Sequence, residues 1–375
     1  MAIIQKKILF LGNSYLTVFG FRREIIERFI NDGYEVFVSF PNGPFGEGES
    51  ASAECGCKFI ETHIDRRGTN IAKDVILIIE YYKLLLNVKP DIVLTFTVKP
   101  DIYAGITCSI LKIPYISNIT GLGKGLTGRK LTQIITIFLY KLAVKKARCV
   151  FFQNTSDERF FCEKHIICPK TKVLPGSGVN LEKYIPLEYP TSEKIKFIYI
   201  ARVMREKGIE EYFFAAHTLK REFSDVEFHI CGYCEEDYKT KLEEGVRSGE
   251  IIYHGLVTDV IPYEKMCHCV VLPSYHPEGV SNVLLEAAAC ARPIITTNRP
   301  GCRETVENNI TGYLIEERNA SDLVEKMRQF ILLPEEKKKE MGRLGRIKIE
   351  KEFDRKKVVE SYRYEVLTVD ETHKR

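Results

Sequence analysis

The fold of this chain is decided by one segment, Val270-Val-Leu-Pro-Ser-Tyr-His-Pro-Glu-Gly-Val-Ser-Asn-Val-Leu-Leu-Glu-Ala-Ala-Ala-Cys-Ala-Arg-Pro-Ile-Ile-Thr-Thr297. It begins in an apolar run that predicts a buried strand, and Pro273 ends that strand. After a polar loop, Ser281 is placed to cap a helix. A second apolar run opens at Pro293. The segment therefore predicts strand, loop, helix and strand, with the loop where open parallel sheets bind ligands.

The loop of this segment has the features of an anion site. Gly279 has no side chain, so a ligand can approach its backbone closely. The helix that follows should leave the amides of Val280, Ser281 and Asn282 without carbonyl partners. Amides of this kind at a helix N-terminus attract anions such as pyrophosphate.

Two carboxylates accompany this anion site. Glu278 precedes the helix, and Glu286 lies about one turn inside it. Because carboxylates repel an anion, we expect these two to bind hydroxyl groups. Phosphate on the amides and hydroxyls on the carboxylates predict a sugar nucleotide as the ligand.

A second strand-to-helix turn carries two cations. The apolar run 195–201 predicts a buried strand, and Arg202 and Lys207 follow it before the next helix. Two cations at such a turn suit a pyrophosphate. In a doubly wound sheet both turns open on the same edge, so we expect the cations to lie near Glu278.

These residues resemble glycosyltransferase family four, whose members have the GT-B fold and retain the anomeric configuration. The resemblance rests on these parts of the sequence: Glu278 to Ala287 with its two glutamates, Arg292-Pro293, Gly301-Cys302-Arg303-Glu304, Gly312, and Arg202 with Lys207-Gly208. It implies an α/β protein of two doubly wound, Rossmann-like domains that face a cleft.

The resemblance also implies a domain plan. Residues 1–185 would form an acceptor-binding domain, and residues 186–354 a domain that binds the nucleotide sugar. The boundary lies where prolines and a loss of periodicity mark a linker. A last helix over 355–370 is expected to pack back on the first domain.

The resemblance further implies roles for individual residues. Arg202 and Lys207 would stabilise the leaving diphosphate, and Glu278 would orient the donor sugar and stabilise positive charge at the anomeric carbon. Glu286 would hold the ribose, and His276 either touches the donor sugar or is simply exposed. We expect catalytic roles for Glu278, Arg202 and Lys207, and donor contacts from Gly279, Val280, Ser281, Asn282, Glu286, Gly232, Val257 and His276. The sequence has no Asp-x-Asp motif and the cations take the place of a metal, so no metal and no cofactor is expected.

The first half of the chain is less specific. It lacks a Gly-x-Gly-x-x-Gly turn after its first strand, so dinucleotide binding is poorly supported. Two stretches, Lys99-Pro100-Asp101 and Thr120-Gly121-Leu122-Gly123, resemble family members that extend lipid-linked bacterial surface glycans. Relatives often carry Glu or His near the position of Thr120, but this chain shows no conventional base there. The resemblance implies that the leaving phosphate takes the proton of the acceptor hydroxyl, as in retaining members. The expected acceptor-side residues are Asn13, Lys99, Thr120 and Gly121.

The stretch 122–149 combines charge with an apolar stripe. It holds seven basic residues and no acidic one. Apolar residues recur between them at helical spacing, from Leu131 to Leu142. Such a basic amphipathic helix can lie on an anionic membrane surface. It can equally be a domain helix whose apolar face is core and whose lysines are solvated, and both readings can hold together.

Composition limits the class of protein. A chain of 375 residues favours two domains. A net charge of +4 argues against a dedicated nucleic-acid binder. The twelve cysteines lie mostly in apolar contexts, which indicates reduced thiols in the cytosol. The apolar run after Lys7 is too short for a signal peptide, and no run is long enough to span a membrane. We expect a cytoplasmic protein, peripheral on the inner face of the cell membrane.

Taken with these limits, the resemblance implies a retaining hexosyl- or N-acetylhexosaminyltransferase. Its donor would be a UDP-sugar, and its acceptor a polyprenyl-diphosphate-linked saccharide in the assembly of capsule, lipopolysaccharide or exopolysaccharide. Two alternatives stay open at this point. One is a nucleotide-sugar 2-epimerase on the same fold. The other is a catalytically silent protein that binds a sugar nucleotide.

Overall fold

The computed structural model describes residues 5–43, 46–65, 68, 70–234 and 238–372. The chain divides into two compact units. The first comprises Met1–Ser177 with Lys356–Arg375, and the second comprises Gly178–Arg355. Each unit is built on one parallel sheet with helices on both faces, which is the layered architecture that alternating strands and helices predict.

The sheet of the first unit has the strand order β3-β2-β1-β4-β5-β6-β7, and all its strand pairs are parallel. The order reverses between β1 and β4, where doubly wound folds bind ligands. Its strands are β1 (Lys7–Leu11), β2 (Glu35–Phe40), β3 (Lys58–Glu61), β4 (Ile92–Phe96), β5 (Tyr115–Ile119), β6 (Cys149–Phe152) and β7 (Thr171–Val173). Its helices are α1 (Phe21–Asn31), α2 (Glu47–Cys55), α3 (Ile71–Val88), α4 (Gly105–Leu111), α5 (Gly123–Thr127), α6 (Lys130–Val144) and α7 (Thr155–Glu163).

The sheet of the second unit is also parallel, in the order β10-β9-β8-β11-β12-β13. Its order reverses between β8 and β11, so the loops after these two strands flank one position. The strands are β8 (Ile195–Ile200), β9 (Val226–Cys231), β10 (Ile252–Tyr253), β11 (Cys269–Leu272), β12 (Ile294–Thr297) and β13 (Gly312–Ile315). The helices are α8 (Ile209–Glu222), α9 (Lys239–Arg247), α10 (Ile261–Met266), α11 (Asn282–Ala289), α12 (Ala320–Leu332) and α13 (Glu335–Glu352).

Strands covered on both faces explain the continuous apolar runs of the sequence. In β1, Ile8 and Phe10 join the core on one face of the sheet, whereas Leu9 and Leu11 join the core on the other. The last helix, α14 (Arg355–Thr372), also belongs to this core, because Tyr362 packs edge-on against Phe151 with ring centroids 4.8 Å apart.

The first unit ends at Ser177, ahead of the expected boundary at 185. The difference has a physical cause. Val179 is buried in the core of the second unit, and its N–H donates to the Phe353 carbonyl at 2.9 Å. The chain therefore already packs in the core of the second unit before the proline-rich linker begins.

The basic stretch 122–149 is not one helix. Gly128 interrupts it between α5 and α6, with backbone angles that no helix adopts. A side chain there would crowd the Lys124 carbonyl oxygen, which would lie 2.4 Å from an added Cβ. The prediction of a single helix was wrong, because one glycine placed to turn the chain divides the pattern.

Candidate active site

Lys207 and Glu278 meet at the carboxyl ends of two neighbouring strands. Lys207 ends a 3-10 turn between β8 and α8, and Glu278 lies in the loop between β11 and α11. The Lys207 Nζ and a Glu278 carboxylate oxygen are 2.7 Å apart, and Lys207 is only 8% exposed. Two of the three predicted catalytic residues are therefore in direct contact, and each is the other's counter-ion.

The loop around Glu278 holds polar atoms that find no protein partner. The second oxygen of Glu278, Nδ1 of His276 and Oδ1 of Asn282 are all buried without a hydrogen-bond partner among the described residues. Buried polar groups are rarely left in this state, because each costs about 1–3 kcal/mol. Three such atoms within one loop indicate a place where a polar ligand or water supplies the missing bonds.

His276 lies beside the ion pair as an uncharged group. Burial lowers the pKa of this imidazole to about 4, and the charges of Lys207 and Arg202 lower it further while Glu278 opposes them. The side chain is half-buried, so it is not simply exposed. Arg202, the third predicted catalytic residue, follows β8 in the same turn as Lys207. At neutral pH His276 is therefore a neutral imidazole beside the Lys207–Glu278 pair.

Close backbone packing fixes the turn that carries Lys207 against the loop that carries Glu278. The N–H of Tyr275 donates to the Glu206 carbonyl at 2.9 Å. Gly208 has a left-handed backbone (φ +79), and an added Cβ would lie 2.2 Å from the Pro273 carbonyl oxygen. Only glycine fits there, so the Lys-Gly pair of the sequence has a steric reason.

The N-terminus of α11 differs from the expectation in one respect. Ser281 is the residue that precedes the helix, but its side chain makes no capping hydrogen bond. Its N–H donates to the Gly301 carbonyl at 2.8 Å. The prediction that this amide is free for an anion was wrong, because the 301–304 turn folds back over the loop and uses it.

Gly301 should be intolerant of any side chain. Its backbone is left-handed (φ +93), and an added Cβ would lie 2.6 Å from the carbonyl oxygen of Glu278 and 2.7 Å from that of Gly279. We expect Gly301→Ala to lower the free energy of unfolding by about 1–3 kcal/mol and to reduce activity by displacing the loop. Thermal unfolding followed by circular dichroism measures the first effect.

Gly249→Ala is the matched control. Gly249 has a similar left-handed backbone (φ +72), but nothing lies within 4 Å of the added Cβ. The difference in the free energy of unfolding between the two variants then measures the effect of crowding the loop that carries Glu278. Equal loss of stability in both would show that the 301–304 turn does not support the site.

Glu286 lies on the second turn of α11 with a strongly perturbed carboxyl group. Burial raises its pKa to about 7, while a hydrogen bond from the Tyr184 hydroxyl and the charge of Arg355 act in the opposite direction. Behind it, Glu264 is fully buried, and burial raises its pKa to about 8. Sequence reasoning missed Tyr184 and Glu264, since nothing in the sequence links them to this helix.

The two loops that carry the predicted donor contacts Gly232 and Val257 are joined to each other. The N–H of Gly232, after β9, donates to the Gly255 carbonyl at 2.7 Å, and the Tyr253 hydroxyl donates to the Gly232 carbonyl at 2.8 Å. Gly232 has a backbone (φ +149) that brings it against Ala201. Val257 is half-buried against the core of the second unit. The structure thus places Gly232 and Val257 in one connected pair of loops.

In the first unit, the four predicted acceptor-side residues follow adjacent strands. Asn13 follows β1, Lys99 follows β4, and Thr120 and Gly121 follow β5, so all lie at the carboxyl edge of the sheet. The side-chain oxygen of Asn13 accepts a hydrogen bond from the Thr17 hydroxyl at 2.8 Å. Thr120 is half-buried and supplies no titratable group.

Lys99 is already paired. Its Nζ lies 2.6 Å from a carboxylate oxygen of Asp74 on α3, and the Tyr103 hydroxyl donates to the other oxygen at 2.8 Å. Asp74 was missed from the sequence, because it stands far from Lys99 along the chain. Asp101 is a further carboxyl group in this region. It is fully buried, accepts a hydrogen bond from Thr95, and has a pKa raised well above its ordinary value by burial.

Comparison with known proteins identifies the family. Residues 187–348 match the family model described as "Glycosyl transferases group 1", and residues 7–154 match the one described as "Glycosyl transferase 4-like". Both models describe glycosyltransferases and together match most of the chain, which is therefore a glycosyltransferase. The group 1 match falls in the second unit of the fold and includes both Lys207 and Glu278. The 4-like match falls in the first unit.

Two curated relatives act on lipid-linked sugars according to their names. The glycosyltransferase is 29% identical, over 88% of its own chain and 90% of the relative, to the N,N'-diacetylbacillosaminyl-diphospho-undecaprenol alpha-1,3-N-acetylgalactosaminyltransferase of Campylobacter jejuni. It is 28% identical, over 67% of its chain and 68% of the relative, to the UDP-Gal:alpha-D-GlcNAc-diphosphoundecaprenol alpha-1,3-galactosyltransferase of Escherichia coli.

Solved structures confirm the fold. HepE from Anabaena in complex with UDP and glucose superposes with a TM-score of 0.78 at 17% identity, over 97% of this chain and 100% of that one. The sucrose-phosphate synthase of Thermosynechococcus elongatus superposes with a TM-score of 0.80 at 17% identity, over 98% and 100%. The predicted pair of Rossmann-like domains is therefore confirmed.

The described residues contain neither a membrane-spanning helix nor a metal-binding cluster. None of the helices in that part of the chain has both the length and the apolar composition that crossing a membrane requires. No group of three or more His, Cys, Asp or Glu side chains among those residues is arranged to hold a metal ion.

Proposed function

We propose that this glycosyltransferase moves a hexosyl or N-acetylhexosaminyl residue from a UDP-sugar to a polyprenyl-diphosphate-linked saccharide, with retention of the anomeric configuration. The observation that carries the proposal is the Lys207–Glu278 pair, 2.7 Å apart, beside a Glu278 oxygen that has no hydrogen-bond partner among the residues the structure describes. A cation for the diphosphate and a carboxylate for the sugar stand together at the switch point of the second sheet.

Donor binding would redistribute the partners within the site. Lys207 moves its hydrogen bond from Glu278 to the diphosphate, and Arg202 adds a second cation. The Glu278 carboxylate is then free for the donor sugar and for the positive charge that develops at its anomeric carbon. His276, which is neutral, hydrogen bonds a sugar hydroxyl, and Glu286 accepts hydrogen bonds from the ribose.

The transfer step needs no base from the protein. The bond between the anomeric carbon and the diphosphate oxygen breaks, and a bond from the acceptor oxygen to the same face of that carbon forms. The acceptor proton passes to the leaving diphosphate. This route agrees with Thr120, which is not a base, and with Asp101, which is fully buried and whose carboxyl group already accepts hydrogen bonds from the Thr95 hydroxyl and the Asn118 N–H.

The acceptor class rests on the two curated relatives. Both are named for substrates linked to undecaprenyl diphosphate, and the name of the Escherichia coli protein also specifies a UDP-linked donor. The acceptor would lie at the carboxyl edge of the first sheet, near Asn13, Lys99, Thr120 and Gly121. We place the product in the assembly of capsule, lipopolysaccharide or another exported polysaccharide.

A lipid-linked acceptor calls for a protein at the cytoplasmic face of the membrane. The basic stretch 122–149 is our candidate for that contact. Much of the apolar stripe of α6 lies outside the core, since Leu131 is 70% exposed and Phe138 is 60% exposed. Exposed apolar residues beside the Lys141, Lys145 and Lys146 cations fit the headgroup region of an anionic bilayer.

The test is a screen of UDP- and GDP-sugars with synthetic polyprenyl-diphosphate-linked N-acetylhexosamines. Mass spectrometry identifies the product, and the proton coupling at the new anomeric centre reports its configuration. Retention with a UDP-sugar is the expected result. An epimerised donor formed without acceptor would establish the epimerase instead, and donor binding without any turnover would establish a silent binder.

Removal of divalent metal should leave transfer unchanged. The proposed site neutralises the diphosphate with Lys207 and Arg202, so no cation from solution is required. We expect equal initial rates in EDTA and in Mg²⁺ at saturating donor. A rate that falls in EDTA and returns with added Mg²⁺ would contradict this assignment of charge.

A further inference from the structure

Helix α3 presents an apolar face to solvent that the sequence reading did not single out. Ile76 is 61% exposed and Ile79 is 49% exposed. The residues that α3 buries, among them Leu77, Tyr81 and Leu84, lie on its opposite side. The exposed large apolar residues of α3 are Ile71, Val75, Ile76, Ile79, Tyr82 and Leu86.

The acidic residues of α3 do not interrupt this face. Asp74 is paired with Lys99, and Glu80 lies 3.0 Å from the His63 ring. Both side chains are thereby held against other parts of the unit. A contiguous exposed apolar surface of this kind marks an interaction site.

Helices α3, α4 and α6 lie side by side in one layer. The buried residues of all three, such as Tyr81, Cys108 and Tyr140, belong to the same core on one face of the sheet. The outward residues of the three helices therefore share the opposite side of the layer. Ile110 on α4, which is 66% exposed, lies between the two larger stripes.

On the α6 side of this layer, the charged residues are all basic. The sequence contains no Asp or Glu between residues 102 and 156. The cations at the ends of α6, Arg129, Lys130, Lys141, Lys145 and Lys146, are all exposed. A second copy of the chain is a poor occupant, because a symmetric dimer through this face would bring like charges together. An anionic surface complements them.

We propose that α3 and α6, bridged by α4, form one bilayer-contact surface, in which α3 inserts apolar side chains at the boundary between headgroups and acyl chains. This extends the membrane contact proposed above from one helix to a layer of three, and rests on it. The two outer helices act differently, since α6 supplies charge attraction and α3 supplies apolar area.

Tryptophan fluorescence tests the insertion of α3 directly. The sequence contains no tryptophan, so a single introduced indole reports without background. The full chain carries Ile79→Trp, Phe138→Trp or, as a control, Leu332→Trp on α12 of the second unit, where Leu332 is 68% exposed. Vesicles of phosphatidylcholine with phosphatidylglycerol should shift the emission of the first two variants to shorter wavelength. Brominated acyl chains should quench both, and the control should show neither effect.

The results separate the possible outcomes. If Phe138→Trp shifts and Ile79→Trp does not, α3 stays in water and the proposal is overturned. A shift of Ile79→Trp that depends on protein concentration without vesicles would show a self-association surface, which also overturns it. An inactive chain that inserts both indoles would refute the proposed transfer alone, whereas an active chain whose α3 remains in water would refute this inference alone.

Salt dependence distinguishes the two helices. Ile76→Ser with Ile79→Ser should weaken vesicle binding at least about tenfold at both low and high salt, because the lost attraction is apolar. Lys141→Gln with Lys145→Gln and Lys146→Gln should weaken it only at low salt, because salt screens charge. Equal salt profiles for the two variants would contradict the division of roles. Leu332→Ser is the matched control.

Discussion

Lys207→Ala is expected to lower the rate of sugar transfer at saturating acceptor by at least about tenfold, which corresponds to about 1.4 kcal/mol in the barrier. Lys207 is the buried cation of the site, and its ammonium lies 2.7 Å from Glu278. In the transition state the diphosphate gains negative charge, and a fixed cation in a water-poor site stabilises that charge strongly. The loss should therefore appear in kcat as well as in kcat/KM.

Arg205→Ala is the matched control for this prediction. Arg205 belongs to the same 3-10 turn, but its side chain is exposed and paired with Glu210 on the surface. Its removal should leave transfer within about twofold, since exposed ion pairs contribute little. A Lys207→Ala enzyme with the wild-type rate would refute the role of the cation. A higher KM with an unchanged kcat would limit the role of Lys207 to donor binding.

The sequence predicted the partners of this site through topology. Lys207 and Glu278 are far apart along the chain, yet each follows an apolar run at a strand end. Parallel strands place their carboxyl ends on one edge of the sheet, so the sequence alone predicts that Lys207 and Glu278 lie close together. In the first sheet the structure likewise places Asn13, Lys99 and Thr120 after neighbouring strands, on one edge.

The partners that the sequence did not predict meet these residues across tertiary contacts. Tyr184 comes from the segment before the linker and hydrogen bonds Glu286. Asp74 comes from a different helix and pairs with Lys99. The amide of Ser281 is used by Gly301, although a helix start alone predicts a free amide. Each depends on how neighbouring loops pack, which periodicity and spacing do not encode.

Exposure was the other quantity that the sequence left open. The apolar stripe of α6 predicts a buried face or a membrane face equally well, because both need the same spacing. In the structure α6 packs inward through Tyr140 and Ala143, whereas Ile134 and Phe138 are exposed to solvent. On α3, Ile76 and Ile79 are likewise exposed.

Glu286→Ala is expected to lower kcat/KM for the donor at least about tenfold at about pH 8, and by much less at about pH 6. Burial raises the pKa of Glu286 to about 7, so its carboxyl is protonated below neutrality and ionised above it. Only the ionised form accepts hydrogen bonds from two ribose hydroxyls. The donor itself does not titrate in this range, because a diphosphate diester is fully ionised throughout. Donor affinity of the wild type should therefore strengthen as the pH rises through 7, and the variant should lose this dependence.

Tyr184→Phe is the matched control, and it should shift the profile without flattening it. The Tyr184 hydroxyl stabilises the ionised carboxyl of Glu286, so its removal raises the pKa of Glu286 and moves the midpoint of the pH profile upward. Glu264, whose pKa is about 8, is present in all three proteins, so the comparison isolates Glu286. Isothermal titration of each protein with UDP-sugar from about pH 6 to about pH 8 gives the affinities. A Glu286→Ala profile as steep as that of the wild type would assign the pH dependence to another group and remove the ribose contact from Glu286.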